Sequence, residues 1–243
     1  MGQLDGKIVV ITGGNQGIGK SIAKQCASEG ANLAIAARNA EKLEAAAQEL
    51  REHGADVLAQ PTDVKDEAAV QSLFDAVMEK YGRVDILVNN VGAFDGGRID
   101  EVTLEAWNNV LGVCLTGVFL CSRAAFSIMK DQGGGRILNI GSISAQRPRA
   151  GSAPYVSAKF GVWGLTQATA VDGRPFGIIA SCLHPGNVFV ERRQETEKTS
   201  DEEPMMSMET IAKAALAMVT LPDDVNFLEA IVLPRDQLYL GRG

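Results

Sequence analysis

The sequence is poor in the residues that build metal centres and disulfides. Its 243 residues include two histidines, His53 and His184, and four cysteines, Cys26, Cys114, Cys121 and Cys182. Two imidazoles are too few for a histidine-based metal centre. No C-x-x-C pair occurs, so neither a zinc site nor a redox dithiol is expected. No clustered carboxylate spacing argues for a metal either, and the thiols read as small apolar residues of a reduced interior. Basic residues are outnumbered, 23 Lys and Arg against 30 Asp and Glu, for a net charge of −7. That argues against nucleic acid or an anionic membrane as the main partner, since both require a basic face. Long apolar runs are also missing. Ile8–Ile11 and Ile86–Val88 are short, far from the roughly 20 residues of a membrane span. The start, Met1–Lys7, has neither the basic residues nor the apolar stretch of a signal peptide, and a cytoplasmic location is the expectation.

What is present is an ordinary globular balance, 46% hydrophobic and 22% charged, in a chain long enough for one sizeable core. Short β-branched runs alternate with longer helical patterns. Lys7–Thr12, Asn32–Ala37, Asp56–Gln60, Ile86–Asn89, Arg136–Gly141, Ile178–His184 and Phe227–Leu233 read as strands. Gly17–Glu29, Glu41–Glu52, Glu67–Tyr81, Leu104–Lys130, Ala153–Val171 and Met208–Leu221 read as helices. Strands separated by helices imply right-handed crossovers and a parallel sheet covered on both faces. The expected fold is thus α/β, a single Rossmann-type doubly wound domain over 1–243 with about seven strands. The polar stretch from Glu191 to Pro204 stands apart, and a mobile substrate lid is expected over about 189–204.

The first strand runs into Thr12-Gly13-Gly14-Asn15-Gln16-Gly17-Ile18-Gly19, directly before a helix. Glycines let the backbone turn tightly and approach a diphosphate, and the helix start offers free N–H groups to that anion. At this place in an alternating chain the pattern points to a dinucleotide. An NAD site usually ends its second strand with a carboxylate for the ribose 2′-OH. Here the strand ends Ala36-Ala37-Arg38-Asn39, with no acid before Glu41. Arg38 offers a planar cation suited to a 2′-phosphate, so NADP(H) is favoured over NAD(H); the other reading of Arg38 is a solvated loop residue.

Tyr155 and Lys159 are four residues apart near a helix start, and such a pair shares one helical face. A nearby cation favours the phenolate, which lets a phenol pass a proton to or from a substrate oxygen. The other reading is a surface Tyr–Lys pair. Ser142 ends the preceding strand, Arg136–Gly141, at the edge where open α/β sheets bind ligands, and its hydroxyl is placed to hold a substrate oxygen.

Together these residues resemble the short-chain dehydrogenase/reductases over essentially the full length of the chain. The match runs through T-G-x-x-x-G-x-G at Thr12–Gly19, Asp63-Val64, Asn89-Asn90-Val91-Gly92, Ser142, Tyr155, Lys159 and Pro185-Gly186. The resemblance implies a hydride transfer between NADP(H) and a small-molecule carbonyl or alcohol, with Ser142, Tyr155 and Lys159 catalytic. It implies a cofactor site of Gly13, Asn15, Gln16, Gly17, Ile18, Gly19, Arg38, Asn39 and Gly92, with Asp63 and Val64 at the adenine and Asn90 flanking the nucleoside. Tyr155 and Lys159 would face the nicotinamide ribose, and Pro185, Gly186 and Val188 the carboxamide. It also implies a homodimer or homotetramer built on the two long helices. The tail Asn226–Pro234 looks like that of a subgroup of broad carbonyl and hydroxy-acid reductases.

Two departures stand out. Where the family carries an asparagine of the proton relay, the stretch Val113–Phe119 places Cys114, and a thiol is a weak donor and acceptor. After Pro185-Gly186, where a threonine is usual, the chain has Val188-Phe189-Val190. Three readings follow: a working enzyme with an altered relay, a slow one losing on the order of 10²-fold, or a non-enzymatic NADP(H)-binding or redox-sensing protein. Substrate choice is expected from loops 93–98, 144–154 and 189–204. There Arg147 and Arg149 read either as solvated or as an anion site, and Phe94 and Phe189 either as an apolar wall or as packing.

Overall fold

Seven short runs rich in small and β-branched residues form the strands; the central ones are apolar on both faces and covered twice, while the edge strands are only partly buried. The seven are β1 (Ile8–Thr12), β2 (Asn32–Ala37), β3 (Val57–Pro61), β4 (Ile86–Asn89), β5 (Gly135–Ile140), β6 (Ile178–Pro185) and β7 (Glu229–Val232). All pair in parallel, in the order β3-β2-β1-β4-β5-β6-β7. The computed structural model describes residues 2–190 and 204–239. Residues 191–203, most of the expected lid, lie outside the described residues.

Successive residues along a strand face opposite sides of the sheet, and the core divides accordingly. Val9, Ile11, Leu33 and Ile35 pack under α1 (Gly17–Ser28), α2 (Ala40–Glu52) and α7 (Met208–Val219). Ile8, Val10, Ala34 and Ala36 face the layer of α3 (Glu67–Tyr81), α5 (Gly117–Gln132) and α6 (Ala153–Gly173). The fold is therefore the doubly wound parallel sheet that the sequence pattern implies. Helix ends follow local chemistry. At α3, the Asp66 carboxylate accepts from the backbone N–H groups of Ala68 and Ala69, and Gly82 closes the helix at φ 71°. Cys26, Cys121 and Cys182 are buried, and desolvation pushes each thiol up to about 12.

One expectation is corrected. The stretch read as a single helix over Leu104–Lys130 is α4 (Leu104–Leu111), a wider π turn (Gly112–Thr116) and then α5. A π turn adds a residue to one turn of a helix and often sits at a functional site; this one holds Cys114. Leu104–Gln132 is long and apolar enough, by length and composition, to cross a membrane. Val110, Leu120, Cys121, Ala125 and Met129 of this stretch are buried in the core beneath the sheet, while Leu104 and Phe119 are exposed.

A buried polar chain crosses the middle of this layer. Asn89 Nδ2 donates to Ser122 Oγ and to Asn139 Oδ1, both at 2.9 Å, and Asn139 Nδ2 donates to Thr166 Oγ1 at 2.8 Å. It fastens β4 and β5 to α5 and α6 without contact with water. Asn139→Ala removes one acceptor and one donor from fully buried partners. Unsatisfied groups of this kind cost about 1–3 kcal/mol each, so the unfolding free energy from urea titration is expected to fall by about 2–6 kcal/mol, seen as a lower midpoint with an unchanged slope. A loss below about 0.5 kcal/mol would show that the chain does not stabilise the fold.

Candidate active site

The strand order reverses between β1 and β4, and open α/β sheets bind ligands in the crevice that such a reversal leaves at the carboxyl ends. Thr12 pairs with Asn89 across that junction. Thr12 Oγ1 accepts from the N–H groups of Asn90 (3.1 Å) and Val91 (3.4 Å), and Asn90 Nδ2 donates to the carbonyls of Thr12 and Gly13 at 3.2 Å. The loop after β4 is thereby clamped onto the glycine turn. Gly13 sits at φ 67°, and a Cβ on Gly19 would lie 2.2 Å from Gly13 O and 2.3 Å from Asn90 Nδ2. No side chain fits between these backbones. Helix α1 begins after Gln16, whose side chain makes no capping bond, and its first turn carries no acid. Its leading N–H groups keep their capacity for an external acceptor, so the residues present fit a diphosphate. Asn15 and Ile18 flank the turn half-buried.

Arg38 is exposed just beyond β2 and makes no hydrogen bond or ion pair among the described residues. Asn39 Oδ1 is occupied as the cap of α2, accepting from Lys42 N at 2.8 Å. Asp63 Oδ1 accepts from Lys65 N at 3.0 Å. Val64 is buried against Gly117, where a Cβ would come within 2.6 Å of its Cγ2. Gly92 stands in open space after β4.

Three elements meet at the end of β5. The Lys159 ammonium, on α6 and 4% exposed, donates to Ile140 O at 2.7 Å, two residues before Ser142. It also lies 5.6 Å from the centroid of the Tyr155 ring. Phe94, from the loop after β4, meets that ring edge-on at 5.5 Å. Ser142 Oγ accepts from Ser144 N at 3.1 Å as the cap of a single 3₁₀ turn, Ile143–Ala145. With an acceptor lone pair engaged, the hydroxyl proton is available for an oxygen in the crevice.

Cys114 has a structural partner in the loop after β4. The side chain is fully buried, and Sγ accepts from Ala93 N at 3.2 Å and donates to Ala93 O at 3.3 Å. The thiol uses both of its weak capacities to tie the Phe94 loop to the π turn. Asn109 faces elsewhere, accepting from Lys65 Nζ at 3.2 Å. Beyond β6, the turn Pro185–Val188 is held by Asn187 N donating to Gln237 Oε1 at 2.9 Å, and Val188 is buried. Arg149 donates to Asn187 Oδ1 at 3.2 Å and Arg147 lies over the Tyr239 ring. Both arginines thus have partners within the protein, at the turn after β6 and at the Tyr239 ring. Among the described residues no group of His, Cys, Asp and Glu is arranged to hold a metal ion.

Residue-type reading missed His184, whose only signal is a polar residue ending an apolar strand. It is fully buried, with Nδ1 2.9 Å from Ser142 O and 3.3 Å from Ser142 N, and its ring edge-on to Trp163. Burial pushes its pKa below the ordinary 6.5; the Ser142 carbonyl and Glu229 oppose this and Lys159 adds to it. A depressed histidine is neutral in the fold, while the unfolded chain binds a proton at a higher pH. Stability from this group is therefore present above about pH 6.5 and is lost as pH falls through that value toward the folded pKa. Thermal unfolding between pH 7.5 and 5.5 is expected to show a shallower pH dependence in His184→Gln than in the parent. Identical slopes would exclude a neutral, buried imidazole.

A family model described as short chain dehydrogenase matches residues 7–201. Levodione reductase of Leifsonia aquatica is 32% identical over 95% of this chain and 92% of its own length. The alcohol dehydrogenase of the archaeon Thermococcus sibiricus, solved with 5-hydroxy-NADP, superposes with a TM-score of 0.85 at 29% identity, covering 93% of this chain and 95% of that one. A metagenomic short-chain oxidoreductase solved with NADP gives a TM-score of 0.84 at 28% identity, over 96% and 98% of the two chains. With the crevice, the glycine turn and the Ser142, Tyr155 and Lys159 arrangement on the same sheet edge, the chain belongs to the short-chain dehydrogenase family of oxidoreductases.

Proposed function

We propose that this chain transfers a hydride between NADP(H) and a carbonyl or alcohol substrate at the end of β5. The observation that carries the reading is the buried Lys159 ammonium, set on the Ile140 carbonyl beside Ser142 and 5.6 Å from the Tyr155 ring. Ser142 donates its hydroxyl proton in a hydrogen bond to the substrate oxygen and fixes its position. In the reducing direction Tyr155 Oη gives its proton to that oxygen as negative charge develops there, and the Lys159 charge offsets what is left on the phenol oxygen. The nicotinamide, when bound, supplies or accepts the hydride. Cys114 acts one step back by holding the loop that sets Phe94 against Tyr155. The family and its neighbours do not favour a non-enzymatic module.

Two features support NADP(H) over NAD(H). Arg38 is exposed and unpaired among the described residues where a 2′-phosphate would lie, and no carboxylate ends β2. The two solved relatives above hold NADP or a derivative of it. The diphosphate would rest on the start of α1, between Gly13 and Gly19.

Fluorescence titration is expected to show NADPH binding tighter than NADH. Arg38→Ala should weaken NADPH by roughly 10–100-fold, the worth of a charged hydrogen bond, and leave NADH unchanged. NADPH oxidation against a panel of ketones and aldehydes should fall at least ~10²-fold in Tyr155→Phe with NADPH affinity preserved. Tight binding with no turnover on any carbonyl would sink the enzymatic reading. We also infer a homodimer or homotetramer from Phe119 on α5 and Phe160 on α6, which are exposed at 43% and 46%. Light scattering that returns a monomer would exclude it.

A further inference from the structure

The carboxyl-terminal stretch from Pro234 to Tyr239 lies beyond residues 7–201 that the family model matches, yet it reaches the catalytic edge of the sheet. Pro234, Gln237 and Tyr239 are buried in an otherwise exposed run. Gln237 seats the run through its bond from Asn187 N, and Gly186 approaches so closely that a Cβ would lie 2.2 Å from Gln237 Oε1. From Tyr239 a directed series leads inward. The Tyr239 hydroxyl donates to Gln146 Oε1, and Gln146 Nε2 donates to Glu229 Oε1 on β7. The same carboxylate oxygen lies 3.4 Å from His184 Nε2, an atom that is fully buried and has no hydrogen-bond partner. With the imidazole neutral this is neither a hydrogen bond nor an ion pair, but a packing contact of the Glu229 carboxylate against the edge of the ring. On its other side His184 Nδ1 touches the Ser142 carbonyl and amide.

We propose that Pro234–Tyr239 is a positioning clasp, in which Tyr239 holds Ser142 in register through Gln146, Glu229 and His184. The inference rests on reading Ser142 as the group that holds the substrate oxygen. In this reading the three linking residues, Gln146, Glu229 and His184, act through Ser142. The orientation is set from the outside: one phenol hydroxyl fixes the Gln146 amide, whose N–H then points at Glu229. Gln146 stands one residue beyond the 3₁₀ turn capped by Ser142, so the amide also fixes the exit of that turn. Arg147, stacked on the Tyr239 ring at 5.8 Å, closes the clasp over the same residue.

Tyr239→Phe removes one hydroxyl and leaves the ring in place, so the fold is preserved. Hydrogen exchange followed by mass spectrometry is expected to quicken about tenfold over residues 141–147 and to stay unchanged over 12–19. The turnover number for carbonyl reduction should fall about tenfold with the KM for NADPH unmoved. In a Ser142→Ala background the same change should cost less than twofold, because its target is gone. Unchanged exchange at 141–147, or a full tenfold loss that persists in Ser142→Ala, would overturn the clasp. If no carbonyl is turned over, the proposed function fails, and the exchange result alone decides the clasp.

Discussion

The junction of β1 with β4 is the constraint on which the site depends. Once Thr12 pairs with Asn89, the loops leaving the two strands must diverge, and the Thr12 hydroxyl and Asn90 amide lock them at a fixed opening. The glycine turn, the start of α1 and the Phe94 loop all take their places from that opening. Burial on both faces is what makes the junction rigid. These two strands have no solvated side to relax into, since every residue of β1 and β4 is buried.

Much of this was legible because the same residues serve local and global structure. The run Ile8–Thr12 announces a strand, and the glycines after it are demanded by close backbone approach. Ser142, Tyr155 and Lys159 were found because their chemistry is unusual at those positions and because strand and helix periods place them on one edge. The π turn was not legible: its residues, Gly112–Thr116, carry no local signal that sets them apart from the helices on either side, and the contact of Cys114 with Ala93 is a tertiary one. His184 and Tyr239 were missed for a related reason. Their roles depend on contacts made 42 and 93 positions away in sequence, which no local period encodes.

Cys114 shows how a residue's chemistry depends on where it points. Judged by hydrogen-bonding capacity, a thiol in place of a carboxamide is a loss. Its two long contacts nevertheless hold the N–H and the C=O of one residue, Ala93, and so fix the two peptides that flank it. Weak bonds suffice there because the site is dry, and the competing alternative is no bond at all. The loop that carries Phe94 is thus held by geometry that polarity alone would not have forecast.

The buried thiols carry a consequence of a different kind. Cys26 lies in α1, Cys121 in α5 and Cys182 in β6, so each layer of the sandwich encloses one. With their proton affinity pushed to about 12, almost none exists as thiolate at neutral pH, and none is open to a reagent. An alkylating probe therefore meets them only when a layer opens. The molecule contains its own record of which layer breathes first, readable by which cysteine is labelled soonest.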